Sequence, residues 1–92
     1  MKKVAMFGLG FVGLPLALSF SIRGCEVTGV DIDEELVKQL NQGHSHHLEV
    51  YEGRSLVEIL QEQLAAGRFR AVSNGRTAMQ ECDNIIVTVG IP

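Results

Sequence analysis

The feature that most limits the fold of this chain is a trio of glycines, Gly8, Gly10 and Gly13, in the string Gly8-Leu-Gly10-Phe-Val-Gly13. A glycine-rich string alone is common, so its setting carries the argument. Ahead of it lies the short apolar run Lys3-Val-Ala-Met-Phe7, which reads as a strand buried on both faces. Behind it, Val12, Leu16 and Ser19/Phe20 recur at helical spacing up to Arg23, and Gly24 is placed to end the helix. Pro15 falls in the first helical turn, where its missing N–H has no intrahelical partner to lose. In a strand–turn–helix unit of this kind, Gly8 permits the tight turn. Gly10, without a β-carbon, lets a pyrophosphate approach the backbone, and Gly13 allows close helix–sheet packing. The N–H groups of Gly10, Phe11 and Val12, with the positive end of the helix dipole, then face the phosphates.

The next strand, Glu26 to Val30, ends at Asp31, 18 residues beyond Gly13. A carboxylate there accepts hydrogen bonds from the adenosine ribose hydroxyls of a dinucleotide. It also repels a 2′-phosphate, and Ile32 beside it supplies no cation, so the pattern favours NAD over NADP. The plainer alternative is that the glycines only make a close strand–helix contact and Asp31 only caps a turn.

The rest of the chain continues the alternation. Asp33 to about Gln42 is predicted helical, with Leu36, Val37 and Leu40 as its apolar stripe and Gly43 as its stop. Residues 43 to 54 are polar and glycine-punctuated and read as a loop. Ser55 to Ala66 is a second helix in the same connection, with Ser55 and Glu58 at capping-box spacing, Leu56, Ile59, Leu60 and Leu64 facing inward, and Gly67 closing it. Phe69 to Ser73 is a third strand, Thr77 to Glu81 a short helix, and Asn84 to Val89 a fourth strand. The order β-α-β-αα-β-α-β predicts an α/β domain with a Rossmann-type parallel sheet wound by right-handed crossovers. Its expected strand order is 3-2-1-4, the N-terminal part of a doubly wound domain.

Composition narrows the function classes. With 92 residues there is room for one small domain at most. The 46% hydrophobic and 21% charged residues form an ordinary globular balance. A net charge of −3, 5% aromatic residues and no Trp argue against a nucleic-acid partner. No apolar run reaches the roughly 18 residues of a membrane span, so no membrane partner is expected. The opening Met-Lys-Lys resembles a signal peptide, but the glycines and Asp31 break the apolar stretch, and a cytoplasmic protein is expected. Cys25 and Cys82 are too few for a disulfide scaffold and read as small buried hydrophobes. His44, His46 and His47 lack a completing Cys or carboxylate and read as a solvated loop without metal. Arg68, Arg70 and Arg76 flank the third strand and read as a solvated face away from the glycine turn.

Beyond these readings, the stretch Gly8-Leu-Gly-Phe-Val-Gly-Leu-Pro-Leu-Ala17 resembles the opening of the UDP-glucose/GDP-mannose dehydrogenase family. The Val before the third glycine and Leu14-Pro15 after it are the discriminating part. Gly29-Val-Asp-Ile-Asp33, Ala66-Gly-Arg-Phe-Arg-Ala71 and Val87-Thr-Val-Gly-Ile-Pro92 resemble later segments of the same pattern. The resemblance implies the NAD-binding part of an enzyme that oxidises the C6 alcohol of a nucleotide sugar to a carboxylate, using two NAD per turnover. It implies that residues 1–92 are a partial domain of a longer chain, inactive alone, with the catalytic cysteine, lysine and asparagine beyond Pro92. Neither Cys25 nor Cys82 matches that nucleophile. Val89, Gly90 and Pro92 are then expected to line the cleft toward the nicotinamide. The chain departs from the pattern at Ile91, where the family has Thr, and at Asp33-Glu34-Glu35, where a basic residue often follows. It departs again at Tyr51-Glu-Gly-Arg-Ser-Leu56, one residue longer than the corresponding family segment. Two other readings of the same site stay open: a stand-alone module that senses NAD or a related adenine nucleotide, and the cofactor half of a hydroxyacid dehydrogenase. An edge at the fourth strand is expected to invite a homodimer or a strand-exchanged assembly.

Overall fold

A computed structural model describes residues 2–45, 50–51 and 53–88. Strand β1 (Lys3–Phe7) leads into helix α1 (Gly13–Ile22), strand β2 (Glu26–Val30) and helix α2 (Glu34–Asn41). Two short strands, β3 (Val50–Tyr51) and β4 (Arg54–Ser55), precede helix α3 (Leu56–Ala65), strand β5 (Phe69–Val72), helix α4 (Arg76–Glu81) and strand β6 (Asn84–Val87). The main sheet is parallel, in the order β5-β2-β1-β6. With the four long strands counted in chain order, this is the expected 3-2-1-4.

Side-chain alternation along each strand assigns the two faces. Val4, Met6, Val27, Phe69 and Ala71 pack with Leu14, Ala17 and Leu18 of α1, Val37 and Leu40 of α2, and Leu56, Ile59 and Leu60 of α3. Each fully buried Leu or Ile there contributes about 2 kcal/mol. The opposite face carries Ala5 and Val30 against Ala78 of α4, with Phe7, Val72 and Cys82 at its margin. Among the described residues three helices therefore cover one face and a single short helix the other, which leaves Ile85 and Val87 exposed in line with Ala5 and Phe7.

Local signals explain the helix ends. Asp33 accepts from the Leu36 N–H at 3.1 Å, and Ser55 accepts from the Glu58 N–H at 3.2 Å. Asn41, the last residue of α2, lies against β5 and bonds both backbone groups of Ala71: its amide donates to the carbonyl at 2.8 Å and its oxygen accepts from the N–H at 2.9 Å. One side chain thus does the work of a neighbouring strand and closes that part of the sheet edge.

Two expectations need correction. The region read as a loop before α3 contains the antiparallel pair β3–β4, with Val50 opposite Ser55 and Tyr51 opposite Arg54. Two residues per strand are too few to leave an alternating pattern. The buried stripe of α1 is Leu14, Ala17, Leu18 and Ser21, while Val12 is exposed and Leu16, Ser19 and Phe20 are half-buried. Nearly every residue of Gly13–Ile22 is apolar, so spacing alone does not fix which side turns inward.

Candidate functional site

The site forms where β1 and β2 end side by side. Gly8 leaves β1 at φ +99°, a left-handed conformation that side-chain-bearing residues rarely adopt, and its N–H donates to the Val30 carbonyl at 2.8 Å. Leu9 is fully buried: its side chain lies over Gly29 of β2, whose added β-carbon would come within 2.6 Å of it. The Leu9 N–H donates to Asp31 Oδ2 at 2.9 Å, and the other oxygen, Oδ1, accepts from the Asp33 N–H at 3.0 Å. Asp31 is therefore part of the glycine turn's scaffold. Each carboxylate oxygen has a second acceptor direction, so both retain capacity for a ribose hydroxyl.

Phe11 and Val12 are exposed at the start of α1, and Val12, at the N-cap, makes no side-chain cap hydrogen bond. The Leu14 N–H donates to the Gly10 carbonyl at 3.1 Å and so starts the helix there, and the positive end of the α1 dipole at this turn is what an anion requires. Beside it, Phe7, Gly8, Val30, Asp31 and Ile32 line a concavity of about 190 Å³. Ile32 at its rim is 93% exposed.

The three glycines answer whether a pyrophosphate fits. A β-carbon on Gly13 would stand 1.7 Å from the Gly8 carbonyl oxygen, and one on Gly8 would stand 2.3 Å from the Thr88 carbonyl oxygen. Both positions are closed by the protein's own backbone. A β-carbon on Gly10 would meet nothing within 4 Å. The middle position is thus open space at a helix N-terminus, and the residues present fit the group.

The structure brings Gly8, Gly10, Phe11, Val12, Gly13 and Asp31 together around one turn. Val89, Gly90 and Pro92 lie outside the described residues, as do His46 and His47. Among the described residues no group of three or more His, Cys, Asp or Glu side chains is placed to hold a metal ion. Cys25 and Cys82 are both free and half-buried. Burial, followed by the charge of Glu81, pushes the Cys82 thiol above its ordinary range. Arg70 pairs with Glu81 at 3.4 Å, on a strand separated from β1 by β2, away from the turn. Thr88 was not singled out from sequence. Its N–H donates to the Phe7 carbonyl at 2.7 Å, and its hydroxyl lies 2.9 Å from the Gly8 carbonyl oxygen. The signal was a lone hydroxyl in the apolar run Ile85 to Val89.

A parallel sheet with a glycine turn after its first strand, and a carboxylate at the end of the neighbouring strand, defines a Rossmann-type dinucleotide-binding domain. The model of the UDP-glucose/GDP-mannose dehydrogenase family, NAD binding domain, matches residues 2–92. The chain belongs to that family, and its cofactor is NAD. It is 36% identical over 90 residues to GDP-mannose 6-dehydrogenase of Pseudomonas syringae pv. tomato, an alignment covering 98% of this chain and 20% of the relative. It is 41% identical over 58 residues to UDP-N-acetyl-D-mannosamine dehydrogenase of Pyrococcus horikoshii, covering 63% of this chain and 14% of the relative. Among solved structures, GDP-mannose dehydrogenase from Pseudomonas aeruginosa superposes with a TM-score of 0.85 at 35% identity, covering 100% of this chain and 20% of that one. The UDP-glucose dehydrogenase from Pyrobaculum islandicum gives 0.86 at 30% identity, with the same coverage. The chain therefore spans about a fifth of the length of these fuller alignments' partners. Among the described residues no helix is long and apolar enough to cross a membrane.

Proposed function

We propose that these 92 residues are the cofactor-holding portion of a cytoplasmic nucleotide-sugar dehydrogenase that oxidises the C6 alcohol of a UDP- or GDP-sugar to the carboxylate. Converting a primary alcohol to a carboxylate removes two hydrides, takes its second oxygen from water and releases three protons, and two NAD molecules, bound here in turn, would accept the hydrides. Gly8, Gly10, Phe11, Val12 and Gly13 hold the pyrophosphate, Asp31 holds the adenosine ribose, and Val89, Gly90 and Pro92 line the cleft toward the nicotinamide. The catalytic residues lie elsewhere in the parent enzyme, so the isolated chain binds cofactor without turning over substrate.

The observation that supports this reading best is the contrast among the glycines: two are closed by backbone, and the one facing solvent is open. Titration with NAD and NADP tests it. NAD is expected to bind and NADP to bind at least about tenfold more weakly, from repulsion between its 2′-phosphate and Asp31. Equal or tighter NADP binding refutes the role given to Asp31.

The assembly reading concerns the isolated chain. β6 pairs with β1 on one side, and its Ile85 and Val87 are 45% and 61% exposed. An apolar edge strand of this kind pairs with a second copy. The isolated chain is therefore a homodimer or a strand-exchanged assembly in this reading.

A further inference from the structure

We propose that Thr88 is a positioning residue of the glycine turn, holding it in the form that receives the pyrophosphate without touching the cofactor itself; the cofactor part of this inference rests on the reading above. Thr88 follows β6 directly and is far from Gly8 in sequence, yet its hydroxyl lies 2.9 Å from the Gly8 carbonyl oxygen and 3.3 Å from that of Phe7. Its N–H also donates to the Phe7 carbonyl at 2.7 Å. The residue therefore holds the carbonyls of two successive peptides at the point where the chain leaves β1.

The volume around the hydroxyl makes the contact specific. A β-carbon on Gly13 would stand 2.6 Å from Thr88 Oγ1, and one on Gly8 would stand 3.1 Å from it. The hydroxyl thus occupies the space that the absence of side chains at the first and third glycines leaves. There it donates to the Gly8 carbonyl, the same atom that lies 1.7 Å from the would-be Gly13 β-carbon. That carbonyl is turned toward the start of α1. A donor on it holds Gly8 at its positive φ and directs the following residues, including Gly10, outward. The other anchors of the turn come from the end of β2 and the residue after it: the Val30 carbonyl holds the Gly8 N–H, and Asp31 holds the Leu9 N–H. Thr88 supplies the matching hold from the opposite neighbour of β1.

The test compares the unsubstituted chain with Thr88→Val, which keeps the branched shape and removes the hydroxyl, and Thr88→Ser, which keeps the hydroxyl. Two quantities are read: the Kd for NAD by isothermal titration, and amide hydrogen exchange at Gly8, Leu9 and Gly10 without cofactor. In Thr88→Val the Kd is expected to rise and the Leu9 amide to exchange faster, each by about tenfold, the effect of one hydrogen bond. Thr88→Ser is expected to stay within about threefold on both. If Thr88→Val does not fold, Thr88→Ala, which places no apolar group against the Gly8 carbonyl, carries the same expectation. Unchanged exchange in the hydroxyl-free variant overturns the proposal. So does faster exchange spread evenly along β1 and β6 in both variants, which is the mark of a merely structural residue. If the unsubstituted chain fails to bind NAD, the cofactor reading falls, and the exchange arm alone still decides whether Thr88 holds the turn.

Discussion

Replacing Gly10 and Gly13 by alanine, one at a time, adds the same methyl group three residues apart and should have opposite consequences. At Gly13 the new β-carbon starts 1.7 Å from the Gly8 carbonyl oxygen and 2.6 Å from Thr88 Oγ1. Real β-carbon contacts essentially never fall below 3.0 Å, so α1 must move away from β1 by more than an ångström. The atom in the way is backbone, which no rotamer change relieves. Overpacking of this kind costs about 3 kcal/mol, the upper end of the usual range, because Leu14, Ala17 and Leu18 must shift with the helix. At Gly10 the methyl meets nothing within 4 Å, and Gly10 is not among the positive-φ glycines. Restricting the unfolded chain should then stabilise the protein by about 0.5 kcal/mol. In the proposed bound state that methyl stands where the pyrophosphate approaches the backbone, so NAD affinity should fall by at least about tenfold, or 1.4 kcal/mol. Urea denaturation gives the stability change and isothermal titration the affinity. The reasoning is refuted if Gly10→Ala is as destabilising as Gly13→Ala, or if it binds NAD as tightly as the unsubstituted chain.

Other outcomes follow from single contacts. Asn41→Ala removes both hydrogen bonds to Ala71 and should cost about 2 kcal/mol in chemical denaturation, while exposing the β5 edge to self-association. Ser55→Ala loses the α3 cap and should cost about 1 kcal/mol, with Ser55→Asp restoring most of it. The raised Cys82 thiol, held up first by burial and then by Glu81, should be alkylated by iodoacetamide more slowly at neutral pH in the folded protein than in the urea-unfolded chain. The folded state holds that proton more tightly than the unfolded chain. Its stabilising share is therefore full below the unfolded thiol pKa and is lost as pH rises through the higher folded value. Static light scattering at high micromolar concentration should find a dimer or larger assembly, and Ile85→Lys should shift it toward monomer; a clean monomer without the substitution sinks the β6 reading.

What could be read from the sequence is what depends on local chemistry. The glycine turn, Asp31 and the caps at Asp33 and Ser55 are each declared by residue type at a fixed offset. The strand order follows from the succession of strands and helices. The contacts that sequence reasoning missed are long-range: Asn41 to Ala71 spans 30 positions and Thr88 to Gly8 spans 80. Neither has a local spacing to announce it. The inward side of α1 failed for a different reason, since a helix apolar nearly all round leaves its phase to the packing partner. From sequence Asp31 carries only the expectation of a ribose contact, and a second task, accepting the Leu9 N–H, emerges only once β1 and β2 are side by side.

That second task bears on how the site works. The glycine turn is held by the Val30 carbonyl on the Gly8 N–H, by Asp31 on the Leu9 N–H, by Leu9 packed over Gly29, and by Thr88 on the Gly8 carbonyl. All four holds exist in the chain without cofactor, and none uses Gly10. A loop fixed through its neighbours and open at its middle meets a ligand with little ordering left to do, so less of the interaction energy is spent on immobilising it. The arrangement also fixes what substitution at Asp31 should do. Asp31→Asn keeps one oxygen acceptor for the Leu9 N–H, gives up the Asp33 N–H bond and loses the charge, so the turn at Leu9 should persist while discrimination against NADP drops by about tenfold. Asp31→Ala removes both acceptors and the charge, so NAD affinity should fall and the Leu9 amide should exchange faster. If the two variants lose NADP discrimination equally but Leu9 exchange is unchanged in Asp31→Ala, the carboxylate acts on the ribose alone and the turn is held without it.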